Sequence, residues 1–424
     1  MLRRSVRAEH IALFILLIAA GGALSTGCSS APRERTAEPA FAPTVVLISL
    51  DGVRWDYLDL YDAPNLAAIA EEGVRAERLT PVFPTKTFPN HYSTVTGLYP
   101  ENHGIISNTM YDPDMDAGFS LSNREAIIDA RWWQGEPLWV TAEKQGQIAA
   151  TYFWPGSEAA IQGVRPSFWF EYDGRVPGEE RVDQVLEWLD LPATERPTFI
   201  TQYFSDVDGA GHRHGPNAPE VSAALADVDA FIGRLVDGIA DRGLQDEVNL
   251  IITSDHGMAE TSEQRVIILD DFFEPESARI VDFSPILMMY PPAGVDEDSL
   301  VRALDAHEHL VAYMRAEIPE RFHLAGHTRT PPIFALADEG WTITTRSRYE
   351  ADPGRINGGA HGYDNELESM GGIFIARGPA FATGYVSRPF LNIHIYELIC
   401  EILALDPTPN DGRLEAVVDL LRLE

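Results

Sequence analysis

The sequence predicts an α/β protein with a central, mostly parallel β-sheet, helices on both of its faces and a small inserted subdomain. Three observations predict it. Nearly continuous apolar runs of strand length recur along the chain, amphipathic stretches of helical spacing lie between them, and the first run, residues 45–50, ends in Asp51-Gly52. A strand without polar alternation is buried on both faces, as in a parallel sheet covered by helices.

The elements follow in chain order. The domain starts at Thr44, and residues 45–50 form its first strand. Residues 64–72 then read as a helix, 148–153 as a strand, 179–189 as a helix and 198–204 as a strand. The pattern continues with a helix over 218–239, strands over 248–253 and 372–376, and a last helix over 393–403. The pieces 286–290, 333–337 and 341–345 are strand-like and predict an antiparallel subdomain within residues 277–346. Neither a repeat nor a second linker divides residues 44–424, so they are expected to form one domain.

Residues 1–28 have a basic start (Arg3, Arg4, Arg7), an apolar run and small residues ending at Cys28, the pattern of an export signal. The run, 11–24, falls short of the roughly 20 apolar residues that a spanning helix needs. Ser25-Thr26-Gly27-Cys28 resembles a bacterial lipobox, although Leu24 stands one position too early. The expectation is an exported protein, in the periplasm or held to a membrane as an outer-membrane lipoprotein by lipid on Cys28. Residues 29–43, rich in Pro, Ala and charge, read as a flexible tether. Once Cys28 is assigned, Cys400 has no partner for an intrachain disulfide and reads as an inert core thiol. The net charge of −33 repels nucleic-acid backbones, so no nucleic-acid polymer is expected as a partner.

In parallel sheets, ligands gather beyond the carboxyl ends of strands. Asp51, Asp208 and the pair Asp255-His256 stand at such ends, with His212 four residues after Asp208 and His361 in a Gly-rich segment. Each alone has an ordinary reading as a turn, cap or surface residue. Together, three carboxylates and three imidazoles suit zinc or a similar transition metal. The glycines of Asp208-Gly209-Ala210-Gly211-His212 predict a loop wrapped around a metal, in place of i, i+4 ligands on a helix. Asp255 and His256 can reach one site only if the chain has left strand geometry, and Gly257 is expected to supply that freedom. Thr87 stands at a predicted loop-to-helix junction, where a hydroxyl beside metals can act as a nucleophile.

The stretch Pro84-Thr85-Lys86-Thr87-Phe88-Pro89-Asn90-His91-Tyr92 resembles the signature of the nucleotide pyrophosphatase/phosphodiesterase family, within the alkaline phosphatase superfamily. Asn108-Thr109-Met110-Tyr111-Asp112-Pro113, Phe153-Trp154-Pro155-Gly156-Ser157-Glu158, Ser254-Asp255-His256-Gly257-Met258 and Gly359-Ala360-His361-Gly362-Tyr363 extend the resemblance over roughly residues 44–412. It implies an alkaline-phosphatase-like fold and two Zn2+ per subunit. Asp208, His212 and His361 would hold one ion, and Asp51, Asp255 and His256 the other, with the Thr87 oxygen beside them. It further implies that Thr87 attacks phosphorus to give a phosphothreonine intermediate, while the Asn108 amide and the Thr87 backbone N–H stabilise the non-bridging oxygens. A neutral Asn108 in place of Arg fits the single charge of a diester better than a monoester. Lys86 is expected to face solvent or a supporting partner, and His91, His103 and His214 are read as structural or bystanders.

The resemblance also implies substrate contacts from Phe88, Asn108 and Tyr172, with Tyr203 near the pocket. The lysophospholipid-cleaving branch looks shortened where this chain keeps residues 155–181, which favours nucleotides. The expected activity is hydrolysis of nucleotide phosphodiester and pyrophosphate bonds to 5′-nucleoside monophosphates. A glycerophosphodiester or choline-phosphate diesterase is the alternative, and a phosphomonoesterase ranks below both.

Overall fold

The computed structural model describes residues 43–422. The export signal, Cys28 and all but the last residue of the tether lie outside the described residues. Among the described residues, no helix is long and apolar enough to cross a membrane.

The eight-stranded central sheet has the order Tyr385–Ser387, Val74–Ala76, Phe374–Arg377, Val248–Thr253, Thr44–Leu50, Phe199–Phe204, Ala149–Tyr152, Phe168–Trp169. Its middle is parallel: Thr44–Leu50 pairs in parallel with both Phe199–Phe204 and Val248–Thr253. Phe374–Arg377, read from sequence as one more strand of the run, is antiparallel to both of its neighbours. Along Thr44–Leu50 the side chains alternate between two cores. Val45 and Leu47 join the core containing Trp139, Ile395 and Ile399, whereas Val46, Ile48 and Leu50 join that of Leu66, Val185 and Leu225. Helices Leu138–Lys144 and His394–Leu403 thus cover one face, and Pro64–Glu72, Gly178–Leu189 and Pro219–Asp241 the other.

Strands Arg279–Asp282, Ile286–Tyr290, Ile333–Ala337 and Leu310–Met314 make a separate four-stranded antiparallel sheet. One face, with Ile286, Met288, Phe334 and Leu336, packs into the main core, and the other, with Leu287, Met289, Ile333 and Ala335, is covered by Leu300 and Leu304 of helix Glu297–Asp305. The piece expected at 341–345 is not part of this sheet: Thr342–Thr344 pairs in parallel with Val266–Ile268. Ahead of strand Ile333–Ala337, the buried Arg329 guanidinium binds Asp112 at 2.7 Å and the carbonyls of Gly104 and Trp132, both at 2.7 Å.

Candidate metal centre

The register of the three central strands brings their carboxyl ends level. Ser49 faces Tyr203 on one side and Thr253 on the other, so the residues just beyond, Asp51, the segment 205–208 and Asp255, emerge together. Gly52 ties these ends. Its φ is +71°, its N–H donates to Asp255 Oδ1 at 3.2 Å, and a Cβ there would lie 2.9 Å from Asp208 Cα. Only glycine meets both the left-handed turn and the close approach.

Two groups of side chains converge here: Asp51, Asp255 and His256, and Asp208, His256 and His361. His256 Nε2 is 3.0 Å from Asp255 Oδ2, 3.5 Å from Asp51 Oδ1 and 3.4 Å from Thr87 Oγ. His256 and His361 stack with ring centroids 3.5 Å apart. His212 lies outside both compact groups, but its Nε2 is 3.3 Å from Asp208 Oδ1. Relative to the division suggested by the resemblance, His256 is therefore common to both groups and His212 flanks the second.

The expected metal-wrapping loop at residues 208–212 is an α-helix, Asp206–His214, so Asp208 and His212 are an i, i+4 pair on one helix. Asp206 and Asp208 occupy its first turn and His212, Arg213 and His214 its last, the charge order that a helix dipole favours. Of the glycines that suggested a loop, Gly211 serves close packing instead: a Cβ on it would sit 3.0 Å from Met258 Cε, whereas one on Gly209 would meet only the Arg213 side chain. The reading of Gly257 needs the same correction. It is not among the residues with positive φ, and a Cβ on it would lie 2.2 Å from the Ser369 carbonyl oxygen, so close backbone approach is what requires it.

Backbone carbonyls orient the imidazoles. His212 Nδ1 faces Gly359 O at 2.8 Å, His361 Nδ1 faces Thr85 O at 2.8 Å and His256 Nδ1 faces Gly257 O at 2.9 Å. A carbonyl only accepts, so each Nδ1 carries the proton and each Nε2 offers its lone pair to the site. Asp51 Oδ1, Asp208 Oδ1 and Asp255 Oδ2 are buried with no hydrogen-bond partner. Burial first, then repulsion from Asp255 and Asp208, pushes the Asp51 carboxyl well up. Burial, with the neighbouring His256 and His212, pushes His361 well below its ordinary value and keeps it neutral. Asp255 goes the other way: burial would raise it, but His256 and His91 hold it at about 2. Imidazole Nε2 atoms beside crowded carboxylate oxygens without hydrogen-bond partners fit divalent cations.

Thr87 is the first residue of helix Thr87–Thr96, preceded by the extended Lys86, so its hydroxyl and its own backbone N–H share one place at the helix start. Asn108 Oδ1 accepts the Phe88 N–H at 2.9 Å, leaving the Nδ2 end of the amide for a ligand. A cavity of about 380 Å³ opens over this point, within the usual range for small-molecule sites. Asp51, Thr87, Phe88, Tyr172, Tyr203 and Asp208 all line it. Tyr172 is half exposed, its ring 5.0 Å from that of Phe153. Tyr203, expected near the pocket, lines the cavity, and its hydroxyl donates to Asp51 Oδ2 at 2.5 Å. Lys86 is buried and bonded to Asp282 at 2.6 Å, the supporting-partner branch of its expected placement. His91 donates from Nδ1 to Thr87 O at 2.8 Å, and His103 pairs with Ser93 at 2.8 Å. His214 lies 3.8 Å from Glu220, away from both groups.

Sequence reasoning missed Arg124, which lines the cavity in an ion pair with the buried Glu158, and Arg181. The Arg181 guanidinium bonds the carbonyls of Gly174, Val176 and Tyr203, pinning the segment after Tyr172 to the strand end that holds Asp51. Nothing in the local sequence marks either, since Arg124 acts through Glu158 and Arg181 through backbone carbonyls.

The profile described as type I phosphodiesterase / nucleotide pyrophosphatase matches residues 45–364. Bovine ectonucleotide pyrophosphatase/phosphodiesterase family member 3 is 39% identical over 408 residues, covering 93% of this chain and 46% of the relative. The venom phosphodiesterase of Macrovipera lebetinus is 38% identical over 417 residues, covering 94% of this chain and 48% of its own. The chain thus spans about half the length of these curated relatives. Murine ectonucleotide pyrophosphatase/phosphodiesterase 5, solved as an inactive threonine-to-alanine variant with AMP, superposes with a TM-score of 0.85 at 38% identity, covering 90% of this chain and all of that one. Most of the chain, including every convergent carboxylate and imidazole described above, lies within the matched span, and the protein belongs to the type I phosphodiesterase / nucleotide pyrophosphatase family.

Proposed function

We propose that the protein is an exported, metal-dependent phosphodiesterase that hydrolyses nucleotide phosphodiester and pyrophosphate bonds to 5′-nucleoside monophosphates through a phosphothreonine intermediate. The observation that carries this reading is the Thr87 hydroxyl at a helix start, 3.4 Å from the imidazole common to both carboxylate–histidine groups. Asp51, Asp255 and His256 would hold one zinc ion, and Asp208, His212 and His361 the second. Bound there, the cations would supply the positive charge that favours ionised Thr87 and stabilises a departing oxygen.

The chain's own groups account for the rest. Thr87 Oγ forms a bond to phosphorus as the bond to the leaving oxygen breaks, and water later cleaves the threonine ester. Asn108 Nδ2 and the Thr87 backbone N–H would meet the charge that grows on the non-bridging oxygens. Phe88 and Tyr172 line the cavity as flat apolar surfaces for a nucleobase, and aromatic stacking accepts any base. The murine relative's complex with AMP supports a nucleotide in this cavity. Asn108, a neutral amide, favours a diester over a monoester.

Parallel assays on p-nitrophenyl thymidine monophosphate and p-nitrophenyl phosphorylcholine test the assignment. Turnover of the nucleotide ester is expected to dominate. Faster cleavage of the choline ester would transfer the assignment to the choline-phosphate alternative.

A further inference from the structure

Asp282 closes the strand Arg279–Asp282, at the edge of the four-stranded sheet. Its Oδ2 accepts a hydrogen bond from Lys86 Nζ at 2.6 Å and another from Ser107 Oγ. These groups are nearly closed to solvent: the side chains of Lys86 and Asp282 are 8% and 11% exposed, and Ser107 is fully buried. The partners are far apart in sequence, but each immediately precedes a residue of the proposed reaction, Lys86 before Thr87 and Ser107 before Asn108. The bond from Phe88 N–H to Asn108 Oδ1 closes the circuit on the other side.

We infer that Asp282 is a positioning residue, setting the distance and orientation of the Asn108 amide relative to the Thr87 hydroxyl. Both limbs converge on one carboxylate oxygen, so neither the helix start nor the Asn108 segment can shift without stretching a charged hydrogen bond in a dry place. The surroundings stiffen the same segment. Strand Thr109–Asp112, directly after Asn108, lies against Arg279–Asp282, and the Arg279 guanidinium sits 3.9 Å from the centroid of the Tyr111 ring. The small sheet thereby braces a donor that the central sheet does not carry.

The inference rests on the proposed reaction, and a double-mutant cycle on the zinc-loaded full chain tests it with p-nitrophenyl thymidine monophosphate. Asp282→Asn is expected to lower kcat by about 10- to 100-fold while KM and bound zinc stay unchanged. In an Asn108→Ala background the same substitution should have little further effect, because the group it positions is gone. Ser107→Ala removes one limb only and should give a smaller loss that also vanishes in that background. It carries the test if Asp282→Asn does not fold. Equal losses with and without Asn108, or a change confined to KM, would overturn the inference. A wild-type protein that turns over no diester would instead remove the reaction on which it rests.

Discussion

At the residue scale the proposed chemistry falls on Thr87, the hydroxyl at the point where the two carboxylate–histidine groups meet. Thr87→Ala should abolish turnover, by more than about 1,000-fold in kcat, while the melting temperature and zinc content hold. Activity retained near the wild-type level would assign the attack to water. Tyr203 makes the second residue-scale prediction. Its bond to Asp51 fixes a carboxylate with no other hydrogen-bond partner for its second oxygen, so Tyr203→Phe should weaken zinc binding by about 10- to 100-fold, measured by chelator competition. At saturating zinc, KM for the nucleotide ester should change little, because the ring remains in the cavity wall.

Among the elements, a buried ion pair ties the segment ahead of strand Ile333–Ala337 to strand Thr109–Asp112. Arg329 and Asp112 are 1% and 8% exposed, and Arg329 is further held by three carbonyls. Asp112→Ala leaves that guanidinium without its anion and should cost about 3–5 kcal/mol of stability, read from denaturant unfolding. A loss below about 1 kcal/mol would mean that the carbonyls alone satisfy Arg329. The two kinds of element differed in how legible they were in the sequence. Apolar strands such as Val248–Thr253 and the amphipathic helix Pro64–Glu72 could be read to the residue, because burial on known faces leaves a periodic pattern. Helix Asp206–His214 could not, because its Gly211 answers to Met258 and the Gly358–Ala360 strand, contacts that no local window contains. The metal-ligand candidates were legible for the converse reason: strand ends and paired Asp-His residues mark themselves locally. The supports for them, Tyr203 to Asp51 and Asp282 to Lys86, span 152 and 196 residues and leave no such mark.

Over the whole molecule, burial holds several histidines neutral outside the candidate metal groups. His103 is pushed down to about 3 by burial and by His327, and His394 to about 4 by burial and Arg413. His327 is also at about 4, through burial and Arg329. Their folded-state values lie below the ordinary 6.5, so the unfolded chain takes up protons first as pH falls. Stability should be full above pH 6.5 and decline progressively toward pH 4, with His103→Gln flattening the curve of melting temperature against pH. A flat wild-type curve over that range would contradict the assignment of these groups. The central claim is that six side chains from distant stretches enclose a pair of cations beside Thr87. Anomalous scattering at the zinc edge from crystals of the zinc-loaded protein tests it most directly. The account predicts two peaks about 4 Å apart, one among Asp51, Asp255 and His256 and one among Asp208, His212 and His361, with Thr87 Oγ beside them. No peak at these residues, or peaks with Thr87 Oγ outside their reach, would contradict it.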